Sequence, residues 1–369
     1  MKFVCSKSKL ITGLQIVSKA VPNKTTMSIL ECILIDATEG VIKFIANDME
    51  LGIQTEVDGN ILERGYIAID AKIFFDIIRK LPDSDVTIDS DSSGKVTIIC
   101  EKAKFSIVGR NADDFTYLPS IERIDGISVS QYTLKNIIQQ TIFSIAENDA
   151  NKMMSGELFE INQDTLKLVS LDGHRISIRK VKLQNSYAPK KVVVPGKTLS
   201  DISKIIGDST ENKVDIFFTD KHILFEFDKT IVVSRLLEGE YFNIDQMLSS
   251  DYETKMTISR KEMLDCIDRA TLLVKEGDKK PVIISINDEK MELKINSTIG
   301  SMDEEIDIEK QGKDLIIGFN PKFLIDALRV IEDENIDIYM VNPKAPCFIR
   351  DKDSTYIYLV LPINFTTVS

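Results

Sequence analysis

Two short segments contain residue types that could support catalysis. The segment Gly196–Thr198 reads Gly-Lys-Thr, like the end of a phosphate-binding loop, but such a loop needs a glycine five residues before its first Gly, and position 191 is lysine. Asp172 and His174 are two residues apart, so on a strand they would share a face and could form an acid–base pair. No G-x-S-x-G elbow or reactive-cysteine signature supplies a nucleophile for that pair. We therefore predict that the chain is not an enzyme.

The sequence offers few ligands for a metal. It has two histidines and five widely spaced cysteines, and no C-x-x-C pair occurs. We therefore predict buried free thiols, no metal and no cofactor. No run of about eighteen apolar residues and no signal-peptide pattern is present, so we expect no membrane contact and a cytoplasmic protein. The cysteines are Cys5, Cys32, Cys100, Cys266 and Cys347.

Helical patterns recur three times along the chain, which indicates internal repeats. The apolar face of residues 9–21 recurs 124 and 253 residues later. A second pattern recurs at intervals of 125 residues, in the segments 70–81, 195–206 and 320–331. Its copies align a lysine, an aspartate and a second basic residue in three columns, which are Lys72, Lys197 and Lys322, then Asp76, Asp201 and Asp326, then Arg79, Lys204 and Arg329. We interpret the chain as a triplication.

Short runs of alternating β-branched and polar residues follow each helix. After the first helix of each repeat they are 41–48, 165–172 and 290–297, and after the second they are 85–90, 213–220 and 335–342. Each repeat therefore reads as helix, strands, helix, strands. This order predicts an α+β fold of three repeated domains, each with two helices packed on antiparallel sheet. The predicted domains are 1–121, 122–249 and 250–369.

Charge is distributed unevenly over these elements. The chain has a net charge of −12, which argues against nucleic acid if only the sum is considered. The six helical segments nevertheless carry a surplus of ten positive charges, so the rest of the chain carries −22. A basic polar face on one helix is ordinary, but a lysine in the first turn opposes the helix dipole, and three repeats keep one there. Phosphate binding gives a reason for it, so we predict sequence-independent contacts to a DNA backbone.

Three motifs resemble one known family. The opening MKF, the segment Ser170–Ile176 (SLDGHRI) and the segment Leu359–Asn364 (LVLPIN) are similar to those of the bacterial DNA polymerase III β subunit, the β sliding clamp family. The resemblance covers the whole chain. It implies a homodimer of three-domain chains, closed head to tail into a ring that encircles duplex DNA without sequence specificity. It also implies a processivity factor that tethers the replicative DNA polymerase α subunit, a clamp loader, repair polymerases and mismatch-repair proteins through short linear peptides.

The resemblance implies a peptide-binding groove between the second and third domains. Apolar side chains with a few polar anchors suit a short peptide. One departure is Phe242, where the family usually has proline, so we expect a reshaped rim. The groove residues implied are Met154, Leu171, Gly173, His174, Arg175, Ile176, Phe242, Met247, Asn320, Phe323, Pro346, Leu359, Leu361, Pro362 and Ile363.

Matching positions also imply DNA contacts and a ring-closing interface. The DNA contacts are Lys24, Lys72, Arg79, Asn148, Lys152 and Lys197, with Asn151 where an arginine is usual and Lys152 as its substitute. At the interface Phe105 and Ile107 would meet Leu272 and Leu273 of the other chain. The basic pair Lys102 and Lys104 would face the acidic run Asp303, Glu304 and Glu305, with the apolar contacts giving most of the energy.

Two other functions remain open on the sequence alone. A monomeric or open adaptor would bind peptides without DNA, and its size in solution would be that of one chain rather than near twice 41.6 kDa. An enzyme acting on phosphorylated substrates is the third alternative, and turnover in a hydrolase and nucleotidyl-transfer screen would favour it.

Overall fold

The computed structural model describes residues 1–146, 151–248, 251–274 and 280–365. Six α-helices occur in these ranges, as the triplication predicts. Helices α1 to α6 are Lys7–Val17, Ala71–Lys80, Gln131–Gln139, Gly196–Ile205, Arg260–Thr271 and Pro321–Val330. Two of the predicted helices are shorter than their apolar patterns, because each changes to a 3-10 turn. After α1 the turn is Ser18–Ala20, and after α3 it is Ile142–Ser144.

Side-chain caps explain where several helices begin. A helix start leaves backbone N–H groups without partners, and a preceding Asp, Ser or Asn can accept from them. Asp70 accepts from the N–H of Ile73 at the start of α2. Asn320 does the same for Lys322 at the start of α6, whose first residue is proline. The residues at which α2 and α6 begin are therefore set by the capping side chains that precede them.

The described ranges hold twenty-four strands, and all their pairings within sheets are antiparallel. The predicted alternating segments are among them. Strands β1 to β24 are, in chain order, Lys2–Ser6, Cys32–Asp36, Ile42–Asn47, Leu51–Val57, Asn60–Glu63, Tyr66–Asp70, Asp85–Ser90, Lys95–Cys100, Ala103–Val108, Ile127–Ser130, Gly156–Leu171, Arg175–Pro195, Lys213–Phe218, His222–Phe227, Thr230–Arg235, Thr254–Ser259, Val282–Asn287, Lys290–Asn296, Ser301–Asp307, Glu309–Gly312, Leu315–Phe319, Asn335–Met340, Cys347–Arg350 and Tyr356–Val360.

The contacts divide the chain into two compact units. Unit 1 comprises Met1–Lys135 and Lys197–Leu236, and unit 2 comprises Asn136–Gly196 and Leu237–Ser369. Unit 1 has a five-stranded sheet, β5-β1-β7-β8-β9, and an eight-stranded sheet, β10-β13-β14-β15-β4-β3-β2-β6. Unit 2 has a seven-stranded sheet, β11-β12-β24-β23-β22-β16-β20, and a four-stranded sheet, β19-β18-β17-β21. One sheet in each unit therefore combines strands from two sequence repeats.

The apolar columns of the repeats form the cores. The side chains of Phe74, Leu199 and Leu324, which occupy equivalent positions in the three repeats, are all buried. Phe74 packs edge-on against Phe44 of β3 with ring centroids 6.3 Å apart. The five cysteines are buried free thiols, as expected. Across the described ranges, no helix has the length and apolarity that a membrane crossing requires.

One charged group is buried in unit 2. Glu157 lies near the start of β11, is 0% exposed, and neither of its carboxylate oxygens has a hydrogen-bond partner among the described residues. Burial disfavours the charged form and raises the pKa of the Glu157 carboxyl from 4.5 to about 8. Three residues along the same strand, Glu160 behaves oppositely. Despite partial desolvation, the ammonium groups of Lys191 and Lys167 hold the pKa of Glu160 below its usual value.

These two carboxyls predict opposite effects of pH on stability. Folded Glu157 holds a proton that the unfolded chain releases above about pH 4.5, so its contribution to the unfolding free energy falls as pH rises towards about 8. Glu157→Gln should abolish this fall. Compared with wild type, the variant should therefore have a relatively higher unfolding free energy at about pH 8 than at about pH 5.5. Urea unfolding of both proteins at the two pH values measures this difference.

Glu160→Gln is the matched control. Ionised Glu160 stabilises the fold above its unfolded pKa and loses that effect as pH falls, so its removal should cost stability mainly at neutral and alkaline pH. If Glu157→Gln, like Glu160→Gln, becomes more destabilising relative to wild type between about pH 5.5 and about pH 8, the assignment of a protonated Glu157 is wrong.

Candidate functional site

Basic side chains of unit 1 gather on one open cleft. The cleft has a volume of about 870 Å³ and lies between the segment after α1, the start of α2 and the end of α4. Lys19, Lys72 and Lys204 line it, one from each element. Lys24 is exposed and follows Asn23, which also lines the cleft. Three elements from two repeats thus place ammonium groups on a shared surface.

The other predicted DNA-contact residues that the structure describes are not among those that line the cleft. Arg79 is exposed at the end of α2 and pairs with Asp76 at 3.0 Å. Lys197 is exposed at the start of α4, with its Nζ 3.1 Å from a carboxylate oxygen of Asp48. Both cations are therefore partly neutralised by their own chain. Asn148 lies outside the described residues.

Lys152, in unit 2, is exposed in a 3-10 turn, Lys152–Ser155. Asn151 precedes it and accepts a hydrogen bond from the N–H of Met153 at 3.0 Å. Asparagine is a good cap because its short side chain reaches the second following amide. The departure from arginine at position 151 therefore gives the turn a cap and leaves the positive charge on Lys152.

Five of the predicted groove residues belong to one apolar cluster in unit 2. The cluster contains Met154, Leu171, Ile176, Phe242 and Leu359. The last residues of β11, the first of β12 and the last of β24 are brought together because β12 pairs with both other strands. The ring of Phe242 packs edge-on against Tyr241, with centroids 5.7 Å apart, and is half-buried. A large aromatic thus occupies the position where proline is usual.

Arg175 is the buried cation of this region and is only 6% exposed. Its Nε donates to Asp172 at 2.8 Å, and its Nη1 donates to Asp326 at 2.7 Å. Its Nη2 donates to the carbonyl oxygen of Phe143 at 2.6 Å. The guanidinium also lies 4.4 Å from the ring centroid of Phe323. Arg175 therefore joins its own turn to the 3-10 turn that contains Phe143 and to α6, rather than offering a free polar group.

A tight turn presents His174 to solvent. Gly173 has φ of +81°, a left-handed conformation that glycine adopts without steric cost. A carboxylate oxygen of Asp172 accepts from the N–H groups of His174 and Arg175. The N–H of Leu361 donates to the carbonyl oxygen of His174 at 2.8 Å. The carboxylate of Asp172 therefore stabilises the turn and binds Arg175, and its hydrogen bonds to His174 involve the backbone rather than the imidazole.

The remaining groove residues have more varied roles. Asn320 caps α6, so its side-chain oxygen is used by the backbone. Met247 is 47% exposed at the end of a 3-10 turn, and Pro346 and Pro362 are half-buried. Ile363 donates its N–H to the carbonyl oxygen of Gly318 at 2.8 Å, which fixes the segment after β24.

Sequence reasoning missed two partners of Arg175, which are Phe143 and Asp326. The aspartate column of the repeats gave a signal for Asp326, but not for its role. Asp76 and Asp201 pair with the basic residue three positions later in their own helices. Asp326 instead binds Arg175, and Arg329 pairs with Asp268. In the third repeat, the aspartate of this column therefore binds Arg175 instead of a basic residue of its own helix.

The residues predicted to close a ring lie on two edge strands, just before one of them, and directly after α5. Strand β9 ends the five-stranded sheet of unit 1, with Phe105 exposed and Ile107 half-buried. Strand β19 ends the four-stranded sheet of unit 2. Leu272 is 79% exposed and Leu273 is half-buried after α5, which contacts β19.

The acidic run on β19 is already paired within its own chain. Asp303 lies 3.5 Å from Lys294, Glu304 binds Arg269, and Glu305 binds Lys290. Lys102 and Lys104 are exposed near and on β9. At an interface, Lys102 and Lys104 would therefore meet carboxylates that already have a basic partner in their own chain.

No metal-binding group of three or more His, Cys, Asp or Glu side chains is found within the described ranges.

Family models match nearly the whole chain in three consecutive segments. The N-terminal, central and C-terminal domain models of the DNA polymerase III beta subunit match residues 1–119, 128–243 and 245–364. The chain is 33% identical to the beta sliding clamp of Staphylococcus aureus, and the match covers 99% of each chain.

Solved structures agree with these matches. A putative DNA polymerase III beta subunit from Eubacterium rectale is 65% identical, with a TM-score of 0.95 over 99% of this chain and 100% of that one. The DNA polymerase sliding clamp from Bacillus subtilis is 33% identical, with the same TM-score and coverage. The chain belongs to the DNA polymerase III beta subunit family, the beta sliding clamps, which are non-catalytic processivity factors of DNA polymerase.

Proposed function

We propose that two copies of the chain close head to tail into a ring that duplex DNA threads without sequence preference. The observation that carries the DNA-facing part is the cleft lined by Lys19, Lys72 and Lys204. Exposed ammonium groups contact backbone phosphates, and such contacts carry no sequence information. Encircled DNA implies a cytoplasmic protein. The proposed domains within each chain are 1–121, 122–249 and 250–369.

All of the proposed DNA contacts except Asn148 are cations, which would bind phosphate weakly and reversibly. Each exposed cation that neutralises a phosphate releases roughly one counterion, so it steepens the dependence of binding on salt. The proposed set is Lys24, Lys72, Arg79, Asn148, Lys152 and Lys197, of which Asn148 is outside the described residues.

Lys72→Gln should remove a phosphate contact, which weakens DNA binding and also makes the binding less dependent on salt. The slope of log affinity against log salt should become shallower by roughly one for each substituted chain. Fluorescence anisotropy with a short duplex at several salt concentrations measures this slope. Lys182→Gln is the control, because Lys182 is also an exposed lysine but lies on β12 of unit 2, where it pairs with Asp164. Equal slopes for the two variants would remove Lys72 from the DNA-contact set.

We propose that the apolar cluster around Met154, Leu171 and Leu359, with the adjacent His174 turn, receives short linear peptides of replication and repair proteins. The cluster supplies apolar walls, and the exposed imidazole at the turn supplies a polar rim. The proposed partners are the replicative polymerase α subunit, the clamp loader, repair polymerases and mismatch-repair proteins. Phe242 narrows or reshapes the rim on its side of the cluster.

Leu361→Lys should reduce binding of the polymerase α subunit by about tenfold or more. The substitution places an ammonium group beside His174, where an apolar anchor is proposed, and apolar anchors dominate such interfaces. Ile316→Lys is the control, because Ile316 is a similarly exposed aliphatic side chain of unit 2, on β21. Surface plasmon resonance with immobilised α subunit measures both. Undiminished binding by the Leu361 variant would move the groove elsewhere.

We propose that ring closure brings β9 of one copy beside β19 of the other. The exposed apolar side chains Phe105 and Leu272 support this, because burial of apolar surface stabilises association. Edge strands also offer unpaired backbone groups that a second sheet can complete. The remaining proposed members are Ile107, Leu273, Lys102, Lys104, Asp303, Glu304 and Glu305. The charged members would set registry more than affinity.

Changing Leu272 and Leu273 together to Asp should convert the dimer to monomers. Two carboxylates buried without partners would outweigh the contact energy that the leucines supply. Light scattering should give one chain mass instead of near twice 41.6 kDa. Ile124→Asp, at an exposed isoleucine of unit 1, is the control and should stay dimeric.

The wild-type dimer should also remain on circular DNA and slide off after the circle is cut. A wild-type monomer would favour the adaptor alternative.

A further inference from the structure

A second turn with the geometry of the His174 turn occurs in unit 1. The repeat of 124 residues aligns Asp48 with Asp172 and Met49 with Gly173. Asp48 accepts hydrogen bonds from the N–H groups of Glu50 and Leu51, as Asp172 does from the two equivalent amides. Met49 has φ of +75°, close to the +81° of Gly173. The turn is therefore preserved although methionine adopts this conformation less readily than glycine.

The strand that completes the turn is also equivalent. In unit 2 the N–H of Leu361, after β24, donates to the carbonyl oxygen of His174 at 2.8 Å. In unit 1 the N–H of Arg235, in β15, donates to the carbonyl oxygen of Glu50 at 2.9 Å. Both junctions thus place a turn from one repeat beside a strand end from the next. The side chains differ, because Glu50 replaces His174 and Arg235 replaces Leu361.

A pocket of about 290 Å³ opens beside the turn in unit 1. Its walls are mainly apolar and include Met49, Tyr117 and Val233. Met49 and Tyr117 are each about half exposed, so apolar surface of both side chains is accessible to a ligand. The volume suits one or two large side chains of a ligand.

The rim of this pocket contains charges of both signs, with a further cation, Lys221, nearby. Arg235 lines it, and exposed Lys221 precedes His222, which also lines it. Burial lowers the pKa of His222, and the positive charges of Arg235 and Lys221 lower it further. The acidic group on the rim is Glu50, whose pairing with Arg235 is long, at 3.4 Å, and exposed on both sides. Such a pair is weak, so a ligand carboxylate can compete for the guanidinium.

We propose that this unit 1 pocket binds a short linear peptide in which a bulky apolar side chain lies next to an aspartate or glutamate. The apolar side chain would contact Met49, Tyr117 and Val233, and the carboxylate would bind Arg235. The site is additional to the proposed groove of unit 2 and rests on that groove only for the comparison between repeats. Its charged rim gives it a different peptide preference.

Methyl NMR of the full chain tests both sites in one titration. The probe is acetyl-Leu-Phe-Asp-amide, added to protein with 13C-labelled methionine methyls, and Met49→Leu identifies the Met49 signal. We expect the Met49 signal to shift saturably. Movement of Met154 and Met247 alone would overturn the proposal while supporting the unit 2 groove. Movement of Met49 alone would support it and count against the groove for this probe. No movement of Met49 overturns it whatever the other methyls do.

Charge variants test the proposed carboxylate contact. Arg235→Gln should weaken the probe at the Met49 signal by roughly two- to fivefold, and the probe with Asn in place of Asp should lose affinity similarly for wild-type protein. Arg123→Gln is the matched control, because Arg123 is an equally exposed arginine of unit 1 that pairs with Glu226 outside the pocket. Equal affinities of the two variants would overturn the proposed role of Arg235. A saturable Met49 shift that Tyr117→Ala leaves unchanged would overturn the pocket itself.

Discussion

Main-chain pairing between neighbouring repeats is the constraint on which both proposed peptide sites depend. In unit 1, β4 of the first repeat pairs with β15 of the second over five residue pairs, from Leu51 with Ser234 to Thr55 with Thr230. In unit 2, β12 pairs with β24 over five pairs in the same way. A ladder of backbone hydrogen bonds fixes the register of both strands, because a slip of one residue would turn every side chain to the opposite face. A turn at one end of such a ladder is therefore held beside a strand from the next repeat.

Arg175 adds a second constraint in unit 2 that unit 1 does not reproduce. Burying a guanidinium is costly unless its charge and donors are satisfied. Two carboxylates, a carbonyl oxygen and an aromatic face surround this one, and they come from segments far apart in the chain. At the equivalent position unit 1 has Leu51, which is buried and needs no such partners, and the arginine of this region, Arg235, is half exposed. The exchange of Arg175 for Leu51, together with the exchanges at the positions of His174 and Leu361, thus gives the two turns different electrostatic surroundings.

Local sequence patterns predicted the helices because their determinants are local. The apolar columns through Phe74, Leu199 and Leu324 mark the faces that are buried, and the capping residues precede the helices that they start. The sheets that cross repeat junctions were not predictable from these patterns, since alternation shows that a strand has a buried face but not which strand lies beside it. The groove positions came from the family resemblance, and the local pattern around Arg175 gave no indication that its side chain is buried.

The proposed DNA contacts of unit 1 suit weak rather than tight binding to DNA. Arg79 and Lys197 each lie beside a carboxylate of their own chain, so a phosphate must compete with Asp76 or Asp48 for them. Exposed pairs of this kind exchange partners at little cost in free energy. Easy exchange of partners suits a processivity factor that slides, because contacts strong enough to hold one phosphate would resist movement to the next. In the proposed ring, closure prevents escape, so the lysine cleft would need only to keep the duplex centred rather than tightly bound. A net charge of −12 is compatible with this role, because the surplus of acid lies outside the helices that carry these cations.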